Sequence, residues 1–321
     1  MSVTVTIDPL PAGVKRPEPI TTNRGRAIKS WARRAPLGPA LVFTIVATQI
    51  PFLLTLWYSL QNYQLNYPLR PRNFPTLANY RTVFKDHVFR VAVVNTIQLT
   101  AIPVILSVIF GVGIAILLNR HVFGRGFLRT LIISPFLVMS TAAALVWKYE
   151  ILDTTFGVLN YALKQVGIKP ENWAGVHPQI TIISFLTWQW TPFMVLLALA
   201  GLQSQGDDLL EAARVDGANA WRIFRSMTLP HLRQYIELGV LLGSIYVVQA
   251  FDSIYIITKG GPSTDTTNLP YYIYEMAFTG SFDVGRASAM SVVVVVATII
   301  IATLALRVVS SLFSDEGMAG R

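Results

Sequence analysis

The chain has 321 residues, of which 53% are hydrophobic and only 13% charged, with a formal net charge of +9. A soluble domain carries about 25% charged residues, so this surface cannot mostly face water, and lipid is the economical solvent for it. The lack of cysteine excludes disulfides, thiolate metal sites and cysteine nucleophiles, and no aromatic-interleaved basic motif speaks for nucleic acid as a partner.

In chain order, residues 1–36 read as a tail. Its first 23 residues are rich in Pro, Thr and Val, and Arg24 to Arg34 then suggest a basic interfacial helix with Trp31 at headgroup level. The basic, acid-poor start resembles a targeting segment, but the apolar run that follows is too long for a signal core and has no small-residue cleavage site. A retained first span is the expectation.

Six apolar runs follow, at 37–69, 91–119, 130–147, 172–206, 235–257 and 287–306. The first four contain no Asp, Glu, Lys or Arg. A spanning helix needs roughly 20 apolar residues. The reading is an all-α membrane protein of six transmembrane helices in one domain, 37–313, with a short tail at 314–321. Six spans put both termini on one side. The side containing the N-terminal segment and the loops after spans two and four holds 16 Lys and Arg, against 10 on the other, so both termini are expected in the cytoplasm. The outer loops, 61–90 and 148–178, are interrupted by Pro68, Pro71 and Pro75 in the first, and by a short surface helix over Phe156–Gln165 in the second. Pro51, Pro103, Pro135 and Pro192 fall inside four spans, where neighbouring helices tolerate them or a gate exploits them as hinges.

Span five is unusual. Gly239 and Gly243 form a G-x-x-x-G that admits a close helix neighbour. Tyr246, Gln249, Asp252 and Ser253 follow at spacings of three and four, which place them near one helical face. Polar groups so placed face a cavity or partner helices, although Asp252 also suits the outer interface. In span four, Thr187, Trp188, Trp190 and Thr191 precede Pro192. Aromatic faces beside amide and hydroxyl groups suit a neutral polyhydroxylated ligand, so Trp190, Tyr246, Gln249 and Asp252 are the candidate pathway residues. Catalysis finds no constellation. His87, His121, His177 and His231 are scattered, and no phosphate-binding G-x-x-x-x-G-K-[ST] occurs.

Between spans four and five stands the polar stretch Glu211–Pro230, EAARVDGANAWRIFRSMTLP. Charges at this density cannot enter hydrocarbon, where each costs about 2.5–3.5 kcal/mol at a helix centre. It must stand in water as a helical hairpin, turned at Gly217.

The E-A-A-x-x-D-G-A wording of this stretch, with Phe224 and Pro230 following, closely resembles the EAA loop of binding-protein-dependent ABC importer permeases. Thr258-Lys259-Gly260-Gly261-Pro262 with Thr266 is similar to the T-x-G-G-P-x-x-x-T segment of the first permease in sugar and polyol systems. Lys259 stands where a small residue is usual. Asn79-Tyr80, Asn95-Thr96, Ser134-Pro135-Phe136, Gly157 with Asn160, Trp190-Thr191-Pro192-Phe193, Tyr272-Ile273-Tyr274 and Ala277-Phe278 fit the same pattern. The resemblance, to the MalF-like member of a MalF/MalG pair, runs from about residue 37 to the end. It implies a type I ABC importer transmembrane domain in a bacterial or archaeal plasma membrane. It also implies an EAA loop at about 205–231, a second MalG-like permease, two cytoplasmic ATPase subunits and an extracytoplasmic substrate-binding protein. The chain itself would hold no cofactor and no metal, and ATP and Mg would belong to the ATPase. Coupling would fall to Glu211, Ala212, Ala213, Asp216, Gly217, Ala218 and Phe224. The rival reading is a secondary transporter or channel working without an ATPase, which requires an intramembrane carboxylate relay, and only Asp252 offers one.

Overall fold

The computed structural model describes residues 38–299 apart from 68, 70, 72 and 121–123. The expected basic helix with Trp31, both tails and residues 300–306 of the sixth run lie outside the described residues. By internal contacts the chain divides into two units, residues 1–54 and 55–321.

The described part is helical and has no strand; one isolated antiparallel bridge joins Gln64 and Asp283. In chain order the helices are α1 (Gly38–Ser59), α2 (Ala78–Lys85), α3 (His87–Leu118), α4 (Arg125–Leu137), α5 (Ser140–Val146), α6 (Val158–Gln165), α7 (Trp173–Val176) and α8 (Pro178–Ser204). They continue with α9 (Asp207–Val215), α10 (Ala220–Ile223), α11 (Leu229–Val247), α12 (Leu269–Tyr274) and α13 (Val284–Ile299). In the first unit, every side chain from Pro39 to Leu54 is exposed, as the all-apolar composition of α1 allows for a helix that faces lipid or another subunit.

Of the apolar runs, α1, α3 and α8 are long and apolar enough to cross a bilayer. The third run departs from expectation. It is not one uninterrupted helix: α4 ends at Leu137, Val138 is extended, and the chain restarts as α5 at 101° to α4. Pro135 lies just before the bend, where its missing N–H and its ring weaken the last turn of α4. The fifth run also breaks. α11 stops at Val247, Val248 and Gln249 form a turn, and helical structure resumes at Asp252 and runs into the wide π-type turn Ile254–Thr258. The freed carbonyl of Ala250 accepts from Asn268 Nδ2 at 2.6 Å, so a residue distant in sequence holds this break open.

The core of the second unit lies between α3 and α8, with α11 against both. Met194 of α8 fills a cleft that only glycine permits. A Cβ on Gly111 would lie 2.5 Å from Met194 Cβ, one on Gly239 2.7 Å from its sulfur, and one on Gly243 2.9 Å from its methyl. The G-x-x-x-G of the fifth run therefore does what its spacing implies.

The 148–178 and 258–286 segments are held by internal hydrogen bonds. Buried Asn160 donates to the carbonyls of Leu152, Asp153 and Glu171 at 3.4, 3.0 and 3.0 Å, and accepts from Glu171 N and Trp173 Nε1, both at 3.1 Å. Gly157 is required beside it, because a Cβ there would lie 2.3 Å from Asp153 O. Asp153 accepts from the backbone of Phe156 and Thr155, which holds its carboxyl below the ordinary value. In the Thr258–Thr266 segment, Lys259, Gly260 and Ser263 have φ of 52°, 76° and 53°, and Gly261–Pro262 is cis. Thr258 and Thr266 hydroxyls meet at 2.7 Å, and Asn95 of α3 donates to the carbonyls of Thr264 and Thr267 at 2.8 and 3.0 Å. Thr96 accepts from Leu269 N at 2.9 Å. Asn95, Thr96, Gly157, Asn160 and Thr266 are thus framework residues.

Candidate functional site

The polar stretch between α8 and α11 is a helix–turn–helix. α9 is closed by a glycine cap in which Gly217 N donates to Arg214 O and Ala218 N to Ala213 O, both at 3.0 Å. This pair of bonds is the Schellman arrangement, and it requires the left-handed backbone that Gly217 adopts at φ 78°. Nothing lies within 4 Å of a Cβ placed on Gly217, so conformation rather than crowding selects glycine. Asn219 then starts α10, its Oδ1 accepting from Arg222 N at 2.8 Å. α10 runs without interruption through the π-type turn Phe224–Thr228 into α11. Pro230, at the start of α11, cannot donate to the carbonyl one turn back, and the wider turn before it absorbs that misfit. The hairpin is therefore not a free-standing insert, because its second arm is the beginning of the fifth run's helix.

The groups on this element are uncommitted. Glu211, Arg214, Asp216, Arg222 and Arg225 are exposed, and none makes an ion pair with another described residue. Beside them stand apolar side chains that a monomer in water would hide: Val215 is 86% exposed, Trp221 67% and Leu209 57%. Of the coupling candidates, Glu211, Ala212, Asp216 and Gly217 are exposed, whereas Ala213, Ala218 and Phe224 are half-buried, and Phe224 packs on Trp221 at 5.7 Å between ring centroids.

The root of the element is clamped. Ser204 Oγ at the end of α8 lies 2.9 Å from both His231 Nε2 and Tyr235 Oη, and His231 Nε2 lies 3.1 Å from Gly201 O. His231 looked like a scattered histidine in the sequence. Its pairing with Ser204, 27 positions earlier, depends on two helices meeting closely at Gly201, where a Cβ would reach 2.7 Å from both Leu232 and Tyr235.

The pathway candidates divide. Trp190 and Tyr246 stack with centroids 5.7 Å apart at 23°, and Trp190 also meets Phe136 and Phe193 at 5.6 and 5.9 Å. Tyr246 is 60% exposed, so its outer face is available. Gln249 is exposed and donates to Ile245 O of its own helix at 2.8 Å. Asp252 is half-buried and Ser253 buried, beyond the turn that ends α11. The expected single polar face from Tyr246 to Ser253 is therefore not carried by one helix. A second aromatic group, Phe251, Tyr255 and Tyr274, lies at the break with centroids 5.1–5.5 Å apart. The spacing of Phe251 and Tyr255 was its only sequence signal. No group of acidic or histidine side chains suited to a metal occurs among the described residues.

Comparison with known proteins follows the same lines. The model of a family described as "Binding-protein-dependent transport system inner membrane component" matches residues 101–314. The "Probable ABC transporter permease protein y4oQ" of Sinorhizobium fredii is 36% identical over 86% of this chain and 91% of its own length. The "Trehalose/maltose transport system permease protein MalF" of Thermococcus litoralis is 33% identical over 82% of this chain and 91% of its own. Among solved structures, a chain of a bacterial ABC transporter involved in import of the acidic polysaccharide alginate superposes with a TM-score of 0.74. It is 21% identical and covers 88% of this chain and 98% of the other, a likeness of fold.

Proposed function

Because the chain belongs to the binding-protein-dependent inner-membrane transport components, we propose that it forms half of the substrate pathway of an ATP-driven sugar or polyol importer. It is the membrane component of such a system, a transport subunit rather than the ATPase. The observation that carries the reading is the Schellman-capped element at 207–228, which presents unpaired charges and exposed Leu209, Val215 and Trp221 on a clamped root. An element with that surface is built to be covered by a soluble partner.

In this reading an ATPase subunit receives the element. Glu211 pairs with a basic group of its cleft, Ala212, Ala213 and Ala218 allow close approach, Asp216 and Gly217 shape the turn, and Phe224 anchors the second arm. ATP and Mg belong to two such ATPase subunits, and a second permease of MalG type completes the pathway. Both termini are cytoplasmic, six spans cross a bacterial or archaeal plasma membrane, and the binding protein docks on the outer loops. Residues 1–36 form the cytoplasmic tail, 37–313 the permease domain, and 314–321 a short end. Trp190 and Tyr246 offer ring faces to sugar CH groups, Gln249 bonds to hydroxyls, and Asp252 lies at the outer end of the path. The trehalose/maltose relative supports a carbohydrate as the cargo class.

Reconstitution into proteoliposomes tests the whole. The chain alone is expected to be inert toward labelled disaccharide, and the complex with its second permease, ATPase and binding protein is expected to accumulate it only with ATP. Uptake by the chain alone, indifferent to ATP, would overturn the reading in favour of a secondary transporter.

A further inference from the structure

On α4, Arg125, Arg129 and Ile132 stand at i, i+4 and i+7, close to one helical face. Arg129 has two buried donors, Nε and Nη2, with no hydrogen-bond partner among the described residues. A guanidinium cannot lose its charge, so shielded and unpaired donors call for an anion from outside the chain. Among the described residues Arg129 makes no ion pair, and no Asp or Glu occurs from residue 87 to 149. One turn along the helix, Ile132 and Pro135 form a wall of a groove of about 640 Å³ whose other walls are Leu106 and Phe110 of α3 and Thr187 and Trp188 of α8. That volume lies in the range of about 300–1,000 Å³ that small ligands occupy.

A cation pair one helical turn from a mainly apolar groove suits an amphiphile with an anionic head. We infer that an anionic phospholipid binds here, its phosphate on Arg129 with Arg125 beside it and one acyl chain in the groove. Arg129 lies about 4.5 Å along the helix axis from Ile132, so head and chain occupy consecutive turns. The proposed orientation enters only in assigning this lipid to the cytoplasmic leaflet. The site itself rests on α4, α3 and α8.

The test uses the assembled importer in phosphatidylcholine nanodiscs doped with a phosphatidylglycerol that carries a photoactivatable acyl chain. Label is expected on peptides spanning residues 106–110 and 132–135, and Arg129→Gln should lower it about fivefold, the worth of one basic side chain at an anionic membrane surface. Ile132→Trp, which fills the groove and leaves Arg129 in place, should lower it as well, while photoactivatable phosphatidylcholine should label weakly in every variant. Millimolar inorganic phosphate should not compete. Equal labelling by both lipids, or competition by free phosphate, overturns the proposal. So does cross-linking of Arg129→Cys to the second permease without lipid label in the parent, because Arg129 then faces a protein carboxylate. If Arg129→Gln fails to assemble, Ile132→Trp and Arg129→Lys decide, with loss of label in the first and its retention in the second expected. Lost uptake with labelling intact would count against the importer reading and leave the lipid site standing.

Discussion

The framework around Asn160 and Thr266 and the 207–228 element are both polar, yet they spend their polarity in opposite ways. Around Asn160, Asn95 and Thr266, side-chain donors and acceptors meet backbone or hydroxyl groups of the same chain at 2.7–3.4 Å. In the 207–228 element the hydrogen bonds of the turn are satisfied, but Glu211, Arg214, Asp216, Arg222 and Arg225 make no ion pair with another described residue and large apolar side chains stand exposed. A polar residue with all its bonds made inside the chain is structural, and one with none is addressed to something else. Motif wording alone does not separate the two, since Asn160 and Glu211 both belong to the family resemblance.

Four substitutions can break this contrast. Asn160→Leu should have the largest effect. It leaves Glu171 N and Trp173 Nε1 without an acceptor and takes a donor from the carbonyls of Leu152, Asp153 and Glu171, of which the last two keep a backbone donor; each orphaned buried group costs about 1–3 kcal/mol. The chain should then fail to accumulate in the membrane, as measured by immunoblot and by its melting temperature in detergent. A normal level with an unchanged melting temperature would show that Asn160 is not structural. Next comes the element itself: Glu211→Lys, or Gly217→Val, which forces a branched side chain into left-handed backbone at about 1–2 kcal/mol. Both should leave the chain in the membrane at its usual level yet abolish uptake and co-purification of the ATPase. Retained co-purification with normal uptake would place the coupling surface elsewhere. The smallest effect is expected from Gln249→Leu. Losing one hydrogen bond to a neutral hydroxyl costs about 0.5–1.5 kcal/mol, so uptake should fall about two- to twelvefold while assembly and ATPase binding persist. Unchanged uptake would move the pathway to the Phe136, Trp190 and Phe193 group, and lost assembly would make Gln249 a packing residue.

Much of this was legible because the signals are local. The apolar runs at 91–119 and 172–206 appear as α3 and α8 within a few residues, since a charge-free run of that length has one inexpensive structure in lipid. Gly217 announces its turn because only glycine adopts that backbone without strain. The third and fifth runs were misread because hydropathy says nothing about continuity. Nothing in the apolar wording of 130–147 marks an extended residue at Val138, and the break after Val247 is held by Asn268, which sequence order hides. The His231, Ser204 and Tyr235 clamp escaped for the same reason: its members meet only where two helices cross. Arg129 was read as one of many charges that orient the chain, and only its geometry separates it from them.

The uninterrupted passage from α10 to α11 has a mechanical consequence. From Ala220 to Val247 the backbone is a single helical rod about 40 Å long, with Trp221 near one end and Tyr246 near the other. A loop would dissipate a push by changing its torsions, but a hydrogen-bonded helix is stiff along its axis, so displacement at one end arrives at the other. If, as proposed, a nucleotide-driven partner docks at this element, a stroke delivered at Trp221 would be felt within the same rod by Tyr246, the ring that stacks on Trp190. The wide turn at Phe224–Thr228 and the clamp on Ser204 mark where that rod can flex and where it is held, so it works as a pivoted beam rather than a piston.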